Sequence, residues 1–491
     1  MLRPPQDAAP DIAPLDHMAV RKIVAGVLLA MLLAALDQTI VATALPTISD
    51  SLADVDNLSW VVTAYLLSST AATPLYGKLS DIHGRRTMML IGIGVFVFGS
   101  VVCALAPSMA ILIIGRAVQG LGGGGLIPLA QAVIGDVAPP RERARYQAMT
   151  STVFMVATIG GPVVGGLISE YLHWSLIFWI NLPLGAVAFG MTHDILRHLP
   201  RHERRHTLDV LGALLMVGAA TILMLAVTWA GNRYPWNSST IVVLFLCSTV
   251  MWVLFTLRQI TTAEPFIPLT VLRDTVVRSA TAAAFFANGT TVALTIFVAL
   301  YLQLALGFSA SRSGIAIIAL QGGATLAAMM TGRLMARIVH YKRLPMGSLA
   351  LGVVSLLVLA AWPTQLPLAL VVALITLAGC GIGPVFPTTI VTIQNAVSLH
   401  QLGIATGLVS FSRSLGGSLI VTVFSAIVLA GLSSGGVAVA ERLAIGAGGA
   451  LDASVFRWVF VAAAAFLVAA FACVLAIEER PLRGATSGLV E

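Results

Sequence analysis

Charge is what this chain has least of. Only 10% of its 491 residues are Asp, Glu, Lys or Arg while 58% are hydrophobic, and no water-soluble fold hides that much apolar surface. The chain must be solvated by lipid. Cysteine is scarcer still: Cys103, Cys247, Cys380 and Cys473 each fall in a different apolar run at no metal-like spacing, and read as small core residues. Nucleophile–base pairs, metal clusters and a nucleotide-binding loop are missing, so an enzyme, a resident metal and a cofactor are not expected. Without a Walker-type loop, any work the protein does must draw on an ion gradient.

What is abundant is apolar runs of about 20 residues, the length that crosses a hydrocarbon core of roughly 30 Å at 1.5 Å per residue. Fourteen are legible, near 21–46, 58–79, 87–106, 109–134, 147–169, 174–195, 208–230, 239–258, 277–305, 313–337, 345–362, 366–391, 402–431 and 456–477. Too long and too uniformly apolar for barrel strands, they predict helices, because unpaired backbone is prohibitive in lipid. The first run is longer than a signal-peptide core and no small-residue cleavage pattern follows it, so it is expected to remain as the first span. With both termini placed in the cytoplasm, 22 of the 28 Lys and Arg fall on tails and inward loops and four on outward loops, leaving Arg116 and Arg413 inside spans. That bias agrees with an even count and with a plasma (inner) membrane protein. The net charge of +7 then reports topology, and no nucleic-acid partner is needed.

An internal repeat is visible. Gly77-Lys78-Leu79 is echoed 255 residues on by Gly332-Arg333-Leu334, and Gly122, Gly124 and Pro128 are echoed 259 residues on by Gly381, Gly383 and Pro387. Gly160-Gly161 likewise has a counterpart in Gly416-Gly417. The expected organisation is all-α, two pseudo-symmetric six-helix bundles plus an inserted pair: a tail (1–20), a first bundle (21–196), a linker (197–207), spans 7 and 8 (208–258), a loop (259–276), a second bundle (277–478) and a tail (479–491). Such parallel halves place a substrate site near the midplane between them. In the linker, His198, His202 and His206 would share a helix face, but the interleaved arginines favour a basic helix lying on anionic lipid over a metal site.

A few polar residues stand inside the apolar runs. Asp37 lies some sixteen residues into the first, with no Lys or Arg beside it. A charge at that depth is expensive, and a carboxyl can escape the cost by taking up a proton, as a proton carrier does; the blander reading is a packing hydrogen bond. Arg116, in Arg116-Ala117-Val118-Gln119-Gly120, cannot lose its proton and needs a partner, for which Asp37 is the candidate; helix carbonyls are the alternative. Between spans 2 and 3, Gly77 to Arg86 sets Asp81 against Arg85 and Arg86, with Gly84 permitting the turn; Asp81 could cap a helix or pair with an arginine as a latch. Gly160-Gly161-Pro162-Val163-Val164-Gly165-Gly166 predicts a kinked fifth span in close helix contact. Arg413 could hold an anionic group in a cavity or bond back to helix carbonyls. Candidate substrate contacts are Gln38, Tyr65, Gln119, Phe178, Trp179, Asn181, Tyr301, Gln303, Phe386 and Arg413.

Taken together, these segments resemble the major facilitator superfamily, and within it the 14-span drug:proton antiporter family. Leu36-Asp37-Gln38-Thr39 to Pro46 is similar to that family's first-span signature, Gly77 to Arg86 to the loop 2–3 motif, Arg116 to Gly120 to the fourth-span motif, and Gly161-Pro162 to Gly166 to the antiporter motif. The resemblance implies that Asp37 accepts the proton, that Arg116 modulates it, that Asp81 and Arg85 form a gate latch, and that the Gly161, Pro162, Gly165 and Gly166 motif limits leak. There are departures: Ser175 and Leu176 replace an arginine and a tryptophan of the family's W-R-W-I-F run, and Ala336 stands where the first half has Asp81. The thirteenth span also has no acid, which argues against dications as cargo. The expected function is proton-coupled efflux of small amphiphilic drugs or metabolites. A proton-coupled importer and a transport-inactive sensor or scaffold are the alternatives. The expected partners are cargo, protons and lipid, and the sequence names no periplasmic adaptor, outer-membrane channel or oligomer.

Overall fold

A computed structural model describes residues 17–54, 57–138, 140–196, 209–231, 233–308, 310–335, 337–338, 340–433 and 454–480. The linker histidines and Ala336 lie outside them. Apart from one isolated bridge, Ala230 to Tyr234, regular structure among the described residues is helical. The first half carries α1 (His17–Leu52), α2 (Leu58–His83), α3 (Arg85–Ala104), α4 (Met109–Val137), α5 (Pro140–Tyr171) and, after a single turn at Leu176–Trp179, α6 (Asn181–Ile195). Then come α7 (Val210–Trp229) and α8 (Ser239–Thr261). The second half carries α9 (Thr275–Leu300, ending in a π turn at Tyr301–Ala305), α10 (Ala310–Met335), α11 (Arg343–Ala361), α12 (Leu368–Ile382 with Val385–Ala396 stacked after it), α13 (Leu402–Ser433) and α14 (Ser454–Ala476).

Among the described residues twelve of these helices are long and apolar enough to cross a membrane, so the protein is a multi-pass membrane protein. The sequence leads to fourteen such runs; the two helices not among the twelve are α2, diluted by Ser, Thr and Pro, and α10, which is counted only over its described side chains. Both pack along the opposite half, α2 on α13 and α10 on α5.

Packing follows the internal repeat. In the first half α1 lies on α4, α5 and α6, and α4 on α2 and α3; in the second, α9 lies on α12, α13 and α14, and α12 on α10 and α11. Small residues permit the approach. A side chain on Gly122 would run into the backbone of Phe96, and one on Gly381 into Gly352, the equivalent α3–α4 and α11–α12 contacts. The inserted hairpin seats α7 on both α2 and α13, while α8 packs on α7. Phe266 and Ile267, in the loop after α8, are buried against Ile404 and Phe411 of α13.

Candidate functional site

The halves meet tightly at the end that carries the Gly77 to Arg86 motif. Gly77 of α2 lies so close to Gly403 of α13 that a Cβ would sit 2.7 Å from its carbonyl oxygen, and Gly332 of α10 packs in the same way on Ala144 of α5. The Asp81 carboxylate crosses the interface and accepts the N–H groups of Gly403 (3.0 Å) and Ile404 (2.8 Å), capping the start of α13 where the helix dipole favours negative charge. Arg85 holds that carboxylate in place at 2.6 Å and bonds Asp136 of α4 at 2.8 Å. Gly84 takes φ +88°, a conformation glycine adopts without cost, and so lets α2 turn into α3. Arg86 turns away to the carbonyl of His193 at the end of α6. A second seal is made by glutamines: Gln394 of α12 donates to the Gln131 carbonyl (3.0 Å) and accepts from Gln147 (3.3 Å). In the second half Arg480 is tied to Asp274 and Glu478, and Glu479 accepts the Lys342 N–H, contacts that stay within the half.

From this closed end a cavity of about 670 Å³ opens toward the other. Both halves line it, from Thr73 and Gln131 deep inside to Leu429 and Trp236 near the mouth, and α7 contributes Met224, Val227 and Thr228. Of the candidate contacts, Gln38, Tyr65, Phe386 and Arg413 face it. Arg413 stacks on Phe386, guanidinium carbon 4.6 Å from the ring centroid. Tyr301 and Gln303 are placed elsewhere: Tyr301 is buried among Phe456 and Phe460 with its hydroxyl on the Pro363 carbonyl, and Gln303 is exposed on the π turn. Trp179 packs half-buried beside Ile177 and Phe178.

Asp37, Arg116, Gln119 and Asn181 form a separate cluster, sealed inside the first bundle. Asp37 is 0% and Arg116 1% exposed, and they pair at 2.5 Å. The remaining Asp37 oxygen accepts from Gln119 Nε2 (2.7 Å) and Asn181 Nδ2 (2.9 Å), which also converge on Ser100 Oγ. Arg116 donates to Gln119 Oε1 (2.6 Å) and the Val61 carbonyl (3.0 Å), and lies over the Tyr65 ring at 4.3 Å, with Phe178 at 5.9 Å. Every helix of the bundle except α5 supplies a member. Tyr65 is the one aromatic of this cluster that also faces the cavity, so it separates the ion pair from the space beyond.

The antiporter-type motif holds α1 on α5. A side chain on Gly161 would strike Thr39 and one on Gly165 would strike Thr43, whereas Gly160 and Gly166 face open space. Helix α5 runs through Pro162 without a break, and the missing N–H leaves the Thr158 carbonyl, one turn back on a cavity-lining residue, without its ladder donor. Thr39 Oγ1 donates across to the Ala157 carbonyl at 2.8 Å. Sequence reasoning missed Ser100, Asp136 and the three interface glutamines. Gln131, Gln147 and Gln394 carried a usable signal, since a primary amide deep in an apolar run needs partners; Ser100, common in membrane helices, carried none.

Comparison with known proteins agrees on one family. The family model described as Major Facilitator Superfamily matches residues 27–193 and 194–421. Multidrug resistance protein 3 of Bacillus subtilis is 30% identical over 85% of this chain and 81% of its own length. An uncharacterized MFS-type transporter of Mycobacterium tuberculosis is 34% identical over 81% of this chain, which spans 58% of that relative. Among solved structures, the human organic anion transporter MFSD10 superposes with a TM-score of 0.66 at 16% identity, covering 93% of this chain and 99% of its own. A bacterial homologue of the iron transporter ferroportin does so with a TM-score of 0.66 at 11% identity, covering 94% and 100%. These two likenesses speak for the fold alone.

Proposed function

The chain belongs to the Major Facilitator Superfamily, and from that premise we propose that it is a fourteen-span, proton-coupled exporter of small amphiphilic molecules, resident in the plasma membrane with both termini cytoplasmic. Relatives named as multidrug transporters support the direction of transport. The carrying observation is the sealed Asp37–Arg116 pair, one side chain from the cavity.

In this reading the closed basic end is cytoplasmic and the cavity faces outward. A proton entering from the cavity past Tyr65 and Gln38 neutralises Asp37. The ion pair is lost, and Arg116 keeps Gln119, the Val61 carbonyl and the Tyr65 ring. Helix α1 is then held less firmly to α4, and because α1 carries Gln38 and Thr39 into the cavity wall and grips α5 at Gly161 and Gly165, its shift is felt where cargo sits. Opening the cytoplasmic side breaks the Asp81 cap on α13 and the glutamine seal. Proton release inward restores the pair and cargo affinity. A membrane potential helps this cycle by about 2.3 kcal/mol per charge per 100 mV.

The test is proton movement in energised everted vesicles challenged with a panel of lipophilic cations, neutral antibiotics and organic acids. Wild-type protein should dissipate the pH gradient with at least one compound and the Asp37→Asn variant with none. Full coupled export by that variant would sink the assignment.

A further inference from the structure

One residue in the cavity is out of keeping with its neighbours. Among the described residues lining the space, Arg413 is the single charged one; the rest are apolar, hydroxyl-bearing or amide side chains. The acids of the membrane region are elsewhere: Asp37 is sealed behind Tyr65, and Asp81 and Asp136 belong to the latch at the closed end. Helix α13, which carries Arg413, offers only serine and glycine beside it on the cavity face, at Ser410, Ser414, Gly417 and Ser418. The contact recorded for the guanidinium is the Phe386 ring, and the nearby Asn288 amide donates to the Arg413 carbonyl, not to its side chain.

A ring face offsets only part of what an uncompensated buried guanidinium costs. With the cavity open, water makes up the difference. Alternating access requires an occluded state, and there the water must be largely expelled. An unpaired Arg413 then opposes closure, and a cargo that brings its own negative charge removes the opposition.

We propose that this cavity is built for organic anions: a flat apolar body against Phe386 and Phe154, with a carboxylate, sulfonate or similar acid group on Arg413 and the neighbouring serine hydroxyls. Arg offers a planar fork of donors matched to such groups. The cargo completes the electrostatics of the closed cavity, so the protein selects cargo at the occlusion step as well as at binding. The inference rests on the transport reading above, but its binding half does not depend on proton coupling.

The probes are 2-naphthoate, 2-naphthylmethanol and 2-naphthylmethylammonium, which share one ring system and differ in charge. Binding to purified full-length protein in lipid nanodiscs should favour the anion, and Arg413→Gln should weaken naphthoate at least tenfold while leaving the alcohol within about twofold; Arg413→Lys should recover part of the loss. Melting temperatures of the variants close to wild type exclude misfolding. Preference for the ammonium in wild type, or naphthoate binding unchanged in Arg413→Gln, overturns the proposal. If naphthoate binds as expected but moves no protons in liposomes, the anion site stands and the antiport reading falls.

Discussion

The stability of the first bundle and its chemistry rest on the same side chains. Removing the Asp37 carboxylate leaves Arg116 charged and buried, a state that costs on the order of 3–5 kcal/mol. Asp37→Asn should therefore lower the melting temperature as well as abolish coupling. Neutralising both partners, Asp37→Asn with Arg116→Gln, should recover much of the melting temperature and none of the transport; a double variant as unstable as the single one would show that the pair is not the source of the loss. Ser100→Ala strips an acceptor from Gln119 and Asn181, and should cost about 1–2 kcal/mol by thermal unfolding without removing the pair itself. The pairing of Asp37 with Arg116 was legible in the sequence because two charges in lipid must find each other. That Gln119 and Asn181 bond the Asp37 carboxylate was not legible: an amide in an apolar run is equally suited to a side chain or to cargo, and only the helix packing decides. The place of Tyr301 was hidden for the same reason, since an aromatic ring with a polar tip can satisfy its hydroxyl on a carbonyl, here that of Pro363.

Helices α2 and α13 meet through a carboxylate and two glycines. Asp81 accepts N–H groups that would otherwise be unpaired at the start of α13. Asp81→Asn should weaken the closed state of this end, since an amide accepts more weakly and releases Arg85. A cysteine at Gln131, guarded by Gln394 and Gln147, should then react faster with a membrane-impermeant maleimide added from the cytoplasmic side. Unchanged labelling would mean that the glutamine seal holds the end shut alone. At this scale the sequence showed the motif and its turn, whereas the acceptor role toward α13 depends on residues more than 300 positions away that no local pattern announces.

As a whole the molecule is two copies of one packing plan. The echoes of Gly and Pro announced it, because those residues mark where helix backbones must touch, and a contact that needs glycine is hard to write in any other way. The count of spans was harder, since the polar residues that α2 carries toward the other half dilute its apolar run. If closure of the basic end is a rigid-body event, linking the halves across α5 and α10 should arrest the cycle. Thr152 and Met329 are in side-chain contact there, 3.4 Å apart. In a background lacking the four native cysteines, Thr152→Cys with Met329→Cys should lose transport on oxidation and regain it with reductant; transport by the oxidised protein would rule out rocking about this seam. The twofold plan is broken by α7, which lies along α2 and α13 and lends side chains to the cavity wall, whereas among the described residues α5 and α10 have no such helix packed along both of them. To a molecule dissolved in the bilayer the protein therefore shows two unlike flanks, one where a third helix covers the α2–α13 seam and one where α5 and α10 meet without that cover.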